Sequence, residues 1–380
     1  MSTPRTPERT RAILVSLEIG KSPPEDRAEE AARLIDSAGA KVVEVIKGRR
    51  DRPDAKTFAG SGKVEEIGVA VREHKAEVVI FDQPLSAAQV RNLETALSTD
   101  GPAVRVMDRT ELILDIFAQR ARTSEGKLQV ELARLEHLST RLVRGWTHLE
   151  RQRGSLGKTG GPGEKQIELD RRMIGERVKK LKDRLKKVER VRATQRAGRA
   201  RSGLLRVSIV GYTNAGKSTL FNRLTAGKAY AADQLFATLD TTTRRVFLGE
   251  NATITISDTV GFIRDLPHSL VDAFHATLEE TVQADLLLHV VDVASPHRDE
   301  QIESVNKVLG EIGAEEIPQL IVLNQIDRVP GMQPEIVRDS SGKVLNIKVS
   351  AMTGAGIDLL REVLAEVARG DSQGSLASAA

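Results

Sequence analysis

Leu204-Leu205-Arg206-Val207-Ser208-Ile209-Val210-Gly211-Tyr212-Thr213-Asn214-Ala215-Gly216-Lys217-Ser218 is the stretch whose reading decides the fold. The apolar run up to Val210 reads as a buried strand, and Ser218 to Leu224 carries the apolar spacing of a helix. Between them Gly211, Tyr212, Thr213, Asn214, Ala215, Gly216, Lys217 and Ser218 have the form G-x-x-x-x-G-K-S. Glycines at this spacing let the backbone turn tightly enough for its N–H groups to face phosphate oxygens. Lys217 adds charge at the β and γ phosphates, and Ser218 offers a hydroxyl to Mg2+. A turn without a ligand can share the eight residues, but strand before and helix after is the context a phosphate loop requires.

Downstream, Arg245 to Leu248 and Thr253 to Ser257 alternate as paired strands do, the second ending at Asp258-Thr259-Val260-Gly261. A carboxylate at a strand tip reaches a nucleotide-bound Mg2+ through water, and Gly261 lets a backbone N–H meet the γ-phosphate. Leu286 to Val293 is a buried strand, and Gln319 to Leu323 is another, ending at Asn324-Gln325-Ile326-Asp327. Asp327 can accept both N–H groups of guanine, a pair of donors that adenine lacks. Ser350-Ala351-Met352 follows one more short strand, where the Ala351 N–H can meet the guanine O6. In Phe236-Ala237-Thr238-Leu239-Asp240, Thr238 is the choice for the threonine that completes the Mg2+ shell with Ser218. Thr241, Thr242 and Thr243 compete with it.

These elements, in this order, match the G domain of the translation-factor-like GTPases. The expected catalytic set is Lys217, Asn214, Thr238 and Gly261, with GTP or GDP and Mg2+ bound. Phe262 stands where Ras-like enzymes place the glutamine that orients the attacking water, so intrinsic hydrolysis is expected to be slow. Asn214 resembles the asparagine of GTPases that use K+ as a fixed charge. Gln325 replaces the lysine of the usual N-K-x-D, which predicts weaker guanine affinity with selectivity kept by Asp327. Arg244, Arg245 and Arg264 lie near the expected switches and read mainly as surface charge.

The chain has 380 residues, enough for two or three domains, and no cysteine, so disulfides and thiolate metal sites are excluded. Its apolar runs fall short of a membrane span, and its first residues are polar and proline-bearing, which predicts a soluble cytoplasmic protein without membrane insertion. A monomer is expected, although the sequence does not determine the oligomeric state. Residues 1–112 alternate strands and helices, as a parallel α/β sheet does. Within them Gly60-Ser61-Gly62-Lys63 looks like a second phosphate loop, but Val64 replaces the required Ser or Thr. A tight turn into a helix is the better reading.

Residues 113–202 read as an antiparallel helical hairpin, with apolar seams through Leu128, Leu132 and Leu135 and through Ile174, Val178, Leu181 and Leu185. Its tip is the glycine-rich loop 154–166. Between Lys165 and Arg206 there are 6 Lys and 10 Arg against 5 acidic residues, an excess of 11 in a chain whose net charge is +4. That asymmetry suggests a polyanionic partner. Aromatic residues are only 3 percent of the chain, so contact with phosphate backbone is expected rather than base stacking or DNA specificity. The GTPase domain spans 203–369, and 370–380 is a tail.

Several stretches outside the nucleotide site, among them Phe58-Ala59-Gly60-Ser61-Gly62-Lys63, Leu112-Ile113-Leu114-Asp115-Ile116-Phe117-Ala118, Glu125-Gly126-Lys127-Leu128-Gln129 and Gly161-Pro162-Gly163-Glu164, resemble the HflX family of ribosome-associated GTPases. The resemblance covers residues 12 to 368. It implies an enzyme that binds the large ribosomal subunit and its rRNA through the hairpin and splits or rescues stalled ribosomes under stress. A regulatory switch acting through protein partners, or an RNA-dependent NTPase that also takes ATP, are the alternatives. Lys165 and Gly160 depart from the family's usual loop, and many bacterial relatives carry a further C-terminal domain beyond the point where this chain ends.

Overall fold

The structure is a computed structural model that describes residues 9–20, 27–99, 103–144, 162–200, 203–225, 235–249, 252–264 and 275–370. The chain divides into two compact units, one of Met1–Gln119 with Val130–Asp183, the other of Arg120–Gln129 with Arg184–Ala380. The helical region expected as a third domain is thus shared between the two.

In the first unit, β1 (Arg11–Ile19), β2 (Lys41–Arg50), β3 (Val78–Phe81) and β4 (Arg105–Asp108) form a sheet in the order β2-β1-β3-β4. All its pairs are parallel. The crossovers are α1 (Arg27–Ser37), α2 (Ser61–His74) and α3 (Ala87–Leu97). The strands carry apolar residues on both faces, as a sheet covered on both sides requires. Phe58 and Phe81 meet edge to face, with centroids 6.3 Å apart. Gly60 is the N-cap of α2, and Lys63 Nζ donates to the Lys47 carbonyl and pairs with Glu66. The turn-into-helix reading of Gly60–Lys63 therefore holds. Arg109, 7% exposed, bridges the carboxylates of Asp82 and Glu30 at the end of the sheet.

α4 (Arg109–Arg120) leads to α5 (Ser124–Arg144), and α6 (Pro162–Ala200) follows. Arg134 pairs with Asp115, and Arg141 with Asp108 and Glu111, fixing α5 beside α4. Arg177 and Lys182 of α6 pair with Glu131 and Glu136 of α5. Helix α6 already begins at Pro162, so 162–166 is helical rather than loop. Proline at the first helical position loses no hydrogen bond and brings a φ suited to the helix. Residues 154–161 lie outside the described residues, as do 371–380.

The second unit is built on seven strands, β5 (Leu205–Val210), β6 (Thr242–Gly249), β7 (Ala252–Asp258), β8 (Leu286–Asp292), β9 (Gln319–Asn324), β10 (Glu335–Arg338) and β11 (Val344–Lys348). Their order is β10-β11-β9-β8-β5-β7-β6, antiparallel only at the pairs β6–β7 and β10–β11. Its helices are α7 (Lys217–Thr225), α8 (His275–Val282), α9 (Arg298–Glu311) and α10 (Ile357–Arg369). Ile209, Ile254, Leu288 and Val322 from the strands pack with Leu220, Phe221, Leu360 and Leu364 from α7 and α10. The carboxyl ends of β5, β7, β8 and β9 converge on one edge, where ligands of open α/β sheets bind. No helix among the described residues is long and apolar enough to cross a membrane.

His289, on β8, is 1% exposed, and its Nδ1 lies 3.2 Å from Gln319 Oε1. Burial pushes its pKa down from 6.5 to about 4. A histidine depressed in the fold takes up its proton more readily when unfolded. Its contribution is complete above pH 6.5 and is lost as the pH falls through about 4. Roughly 3 kcal/mol of stability is expected to disappear over that interval. Urea titrations followed by circular dichroism from pH 7 to pH 4 should show this slope, and His289→Gln should flatten it.

Candidate functional site

The phosphate loop closes between β5 and α7. Gly211 sits at φ 145, and a Cβ there would overlap the Val290 carbonyl of β8, so no other residue fits. Asn214 adopts the left-handed conformation at φ 63 with its side chain exposed. Lys217 is 6% exposed and its Nζ donates to the Tyr212 carbonyl at 2.6 Å. Burial pushes the Lys217 pKa down to about 8, against the opposing pull of Asp258. A polyanion set against Lys217 would restore the charged form.

Asp258, at the end of β7, is 1% exposed. Its Oδ2 accepts from the Ser218 hydroxyl at 2.8 Å and from the Thr238 hydroxyl at 2.9 Å, and the two hydroxyl oxygens are 2.7 Å apart. Its Oδ1 is buried with no hydrogen-bond partner. Burial raises the Asp258 pKa, partly offset by the bonds from Ser218 and Thr238. Three oxygens this close, beside a carboxylate oxygen Oδ1 whose lone pairs are unused, suit a hard divalent cation. The expected Mg2+ residues Ser218 and Thr238 therefore meet in space. Of the competing threonines, Thr242 and Thr243 begin β6, where Thr243 Oγ1 lies 2.8 Å from Ser257 Oγ.

Thr213, Asn214, Gly216, Lys217, Ser218, Phe236, Ala237, Thr238, Thr259 and Gly261 line one polar cleft. A Cβ at Gly261 would stand 2.8 Å from Thr213 Cγ2 and 2.9 Å from Lys217 Nζ, so this residue packs directly on the loop. Leu239 and Asp240, the two residues after Thr238 in the stretch expected at the nucleotide, make other contacts in this structure. Leu239 is buried, and the Asp240 carboxylate accepts from the N–H groups of Arg122 and Thr123. Phe262 is fully buried, and its backbone bonds the loop: Thr213 N–H donates to Phe262 O at 2.7 Å, and Phe262 N–H to Gly211 O at 3.2 Å. Its ring is thus part of the support and cannot orient a water.

On the base side, Asn324 Nδ2 donates to the Ala215 carbonyl at 2.8 Å and Oδ1 accepts from the Ala351 N–H at 2.9 Å. The Ala351 N–H expected at the guanine O6 is thus bonded to Asn324 here. Ser350 Oγ donates to Asp327 Oδ1 at 2.5 Å, orienting the carboxylate. Ile326 is buried and Met352 exposed. Gln325, at φ 67, donates from Nε2 to the Asn214 carbonyl at 3.0 Å. Sequence reasoning missed Arg223 of α7, which donates to the carbonyls of Ala351 and Met352 and so holds the base loop. It also did not foresee that the hydroxyl of Tyr212, a residue of the expected loop, accepts from the Arg264 N–H at 2.7 Å. Neither contact leaves a local pattern in the sequence.

Residues 25–118 match the family model described as GTP-binding GTPase N-terminal, 120–199 the GTP-binding GTPase Middle Region, and 206–325 the 50S ribosome-binding GTPase. The chain is 52% identical over 361 residues to GTPase HflX of Escherichia coli (strain K12), covering 95% of this chain and 83% of that one. It is 45% identical over 357 residues to GTPase HflX of Caldanaerobacter subterraneus subsp. tengcongensis, covering 94% and 80%. Among solved structures, the crystal structure of the SsGBP and GDP complex aligns with a TM-score of 0.52 at 25% identity, covering 96% of this chain and all of the other.

Asp327→Asn keeps the shape of the base site but presents an amide where guanine needs a carboxylate. Replacing a charged acceptor of two bonds is expected to weaken GDP binding about a hundredfold while leaving ADP binding nearly unchanged. Titration with fluorescent GDP and ADP analogues measures both. Unchanged selectivity would place the base elsewhere.

Proposed function

The chain belongs to the HflX family of GTPases, a ribosome-binding family, and on that premise we propose that it docks on the large ribosomal subunit in its GTP form and dissociates or rescues stalled ribosomes. The observation that carries the reading is the exposed basic side of α6. Arg172, Lys179, Lys180, Arg184, Lys187 and Arg190 are all solvent-exposed there. A helix covered this way attracts an RNA phosphate backbone and releases counterions on binding. The reading places the hairpin, with its stretch 154–166, against ribosomal RNA.

At the nucleotide site we propose Ser218 and Thr238 as direct ligands of Mg2+, with Asp258 acting through water. The orphaned Asp258 Oδ1 and the 2.7 to 2.9 Å spacing of the three oxygens support this assignment. A bound Mg2+ would supply positive charge at the β and γ phosphates of GTP. Lys217 adds its ammonium on the same side, and the loop N–H groups hold the phosphate oxygens. The Gly261 N–H meets the γ-phosphate, and Thr238 reaches the site only from an ordered 236–240 segment. Thr238 therefore distinguishes triphosphate from diphosphate. Phe262 contributes no water-orienting group, which supports slow intrinsic turnover and acceleration by the ribosome. Asn214 is proposed to assist through K+, which hydrolysis rates in KCl against NaCl would test.

Sedimentation of intact ribosomes with the protein and a non-hydrolysable GTP analogue tests the whole reading. The protein is expected to migrate with large subunits and to lower the intact-ribosome peak. Lys179→Glu with Lys180→Glu and Lys187→Glu should abolish both effects while GDP affinity stays within twofold. A protein that neither co-migrates nor shifts the peak does not have this function.

A further inference from the structure

Asp240 stands two residues after Thr238, on the side of the segment that faces α5. Its carboxylate accepts from the backbone N–H of Arg122 at 2.7 Å, from that of Thr123 at 3.0 Å, and from the Thr123 hydroxyl. Thr123 Oγ1 in turn accepts from the Gly126 N–H at 2.9 Å, the bond an N-cap residue makes at the start of a helix. One anion therefore gathers the two N–H groups just before α5 and the hydroxyl of the residue that caps it, and the helix dipole favours it there. The approach is close enough that a Cβ at Gly126 would overlap the Asp240 carboxylate. Asp240 and Ser124–Gln129 lie within the same compact unit.

The segment between the two contacts is fixed. Phe236 and Leu239 are each 2% exposed, and Phe236 is held at φ 56. Leu239 is the single residue between Thr238 and Asp240, so a displacement at one end has little slack to absorb it.

We propose that Asp240 is a positioning residue for the hydrolytic site: it ties the segment carrying Thr238 to the first turn of α5. The triphosphate form of the site is then stabilised by that helix end, and by linkage the helix end is stabilised by the triphosphate. The inference rests on the reading of Thr238 given under the proposed function. It assigns Asp240 a task that grouping it with the nucleotide ligands had hidden. It also makes Gly126 a residue that sets the approach of two elements rather than a weak point in a helix.

The test uses the full chain as wild type, Asp240→Ala, Gly126→Ala and Thr238→Ala, with fluorescent GDP and a non-hydrolysable GTP analogue in Mg2+. In Asp240→Ala and Gly126→Ala the GDP affinity should stay within twofold, while analogue affinity falls about tenfold, the loss expected from charge-assisted bonds. Alanine has a better helix propensity than glycine, and a Cβ at residue 126 would overlap the Asp240 carboxylate, so a loss in Gly126→Ala reports the displaced carboxylate. Hydrogen exchange gives a second readout. The amides of Arg122, Thr123 and Gly126 should be more protected with the analogue than with GDP in the wild type, and equally protected in Asp240→Ala. Should Asp240→Ala fail to fold, Gly126→Ala carries the same expectation. A wild-type ratio of analogue to GDP affinity in the variants overturns the tie. So does an equal loss for both nucleotides, the mark of a merely structural contact. If Thr238→Ala leaves the ratio unchanged, the reading of Thr238 itself fails. If Thr238→Ala lowers it and the other two do not, only the tie fails.

Discussion

A carboxylate at the end of a buried strand must be compensated, and the compensation of Asp258 organises the second unit. β7 is buried along most of its length and delivers Asp258 to the convergent edge of the sheet at 1% exposure. Burial alone would neutralise such a group. The hydroxyls of Ser218 and Thr238 answer it, one from the start of α7 and one from the segment before β6. The parallel pairing of β5 with β7 sets the phosphate loop beside the strand end, and the antiparallel pairing of β6 with β7, Thr242 opposite Asp258, brings the segment of Thr238 there. Two chain segments far apart in sequence are thus held by one charge, and its second oxygen keeps the capacity a cation needs.

Asn324 plays the corresponding part on the base side. Its amide spans the Ala215 carbonyl and the Ala351 N–H, so the phosphate loop and the base loop share one bridge. The neighbouring departure from the usual lysine then acquires a structural account. Gln325 bonds the Asn214 carbonyl, and Arg328 donates to Gln325 Oε1 and to Asp292. The tie to the loop is kept by an amide, while a cation stands one bond further out. An exposed ion pair such as Arg328 with Asp292 adds little stability by itself. Its effect is to fix the rotamer of Gln325.

What was legible in the sequence was whatever local spacing determines. The strand, loop and helix around Gly211–Ser218, the alternation of the first unit, and the place of Phe262 all follow from residues near one another in the chain. Thr238 could not be separated from Thr241, Thr242 and Thr243 by spacing, because the choice depends on which hydroxyl reaches Asp258 in space. The contacts of Asp240 were hidden for the same reason. It sits in a run of nucleotide-associated residues, and its partners Arg122 and Thr123 are more than a hundred positions earlier. Arg223 was invisible because a carbonyl acceptor can be supplied by any residue. The start of α6 was misplaced because a glycine-rich run suggested a loop up to 166, whereas Pro162 is compatible with a first helical turn.

The distance between the two duties of the 236–240 segment limits how a nucleotide signal can spread. Thr238 and Asp240 are at most about 7 Å apart along an extended chain, so no long relay is needed between the cation site and α5. The energy available is also bounded. A coupling of about 1–3 kcal/mol, the usual range between linked sites, is of the same order as the charge-assisted bonds that Asp240 makes. That is enough to shift a balanced helix end and too little to drag a rigid body. The element to be shifted must therefore be poised already, and a helix start whose capping residue Thr123 is itself held by one external carboxylate satisfies that condition. From Ser124 the helix continues to Arg144, toward the segment that the ribosome reading places against RNA. In the proposed arrangement the carboxylate tied to the segment of Thr238 also holds the cap of α5, and the two events share one energy rather than exchanging it through the core.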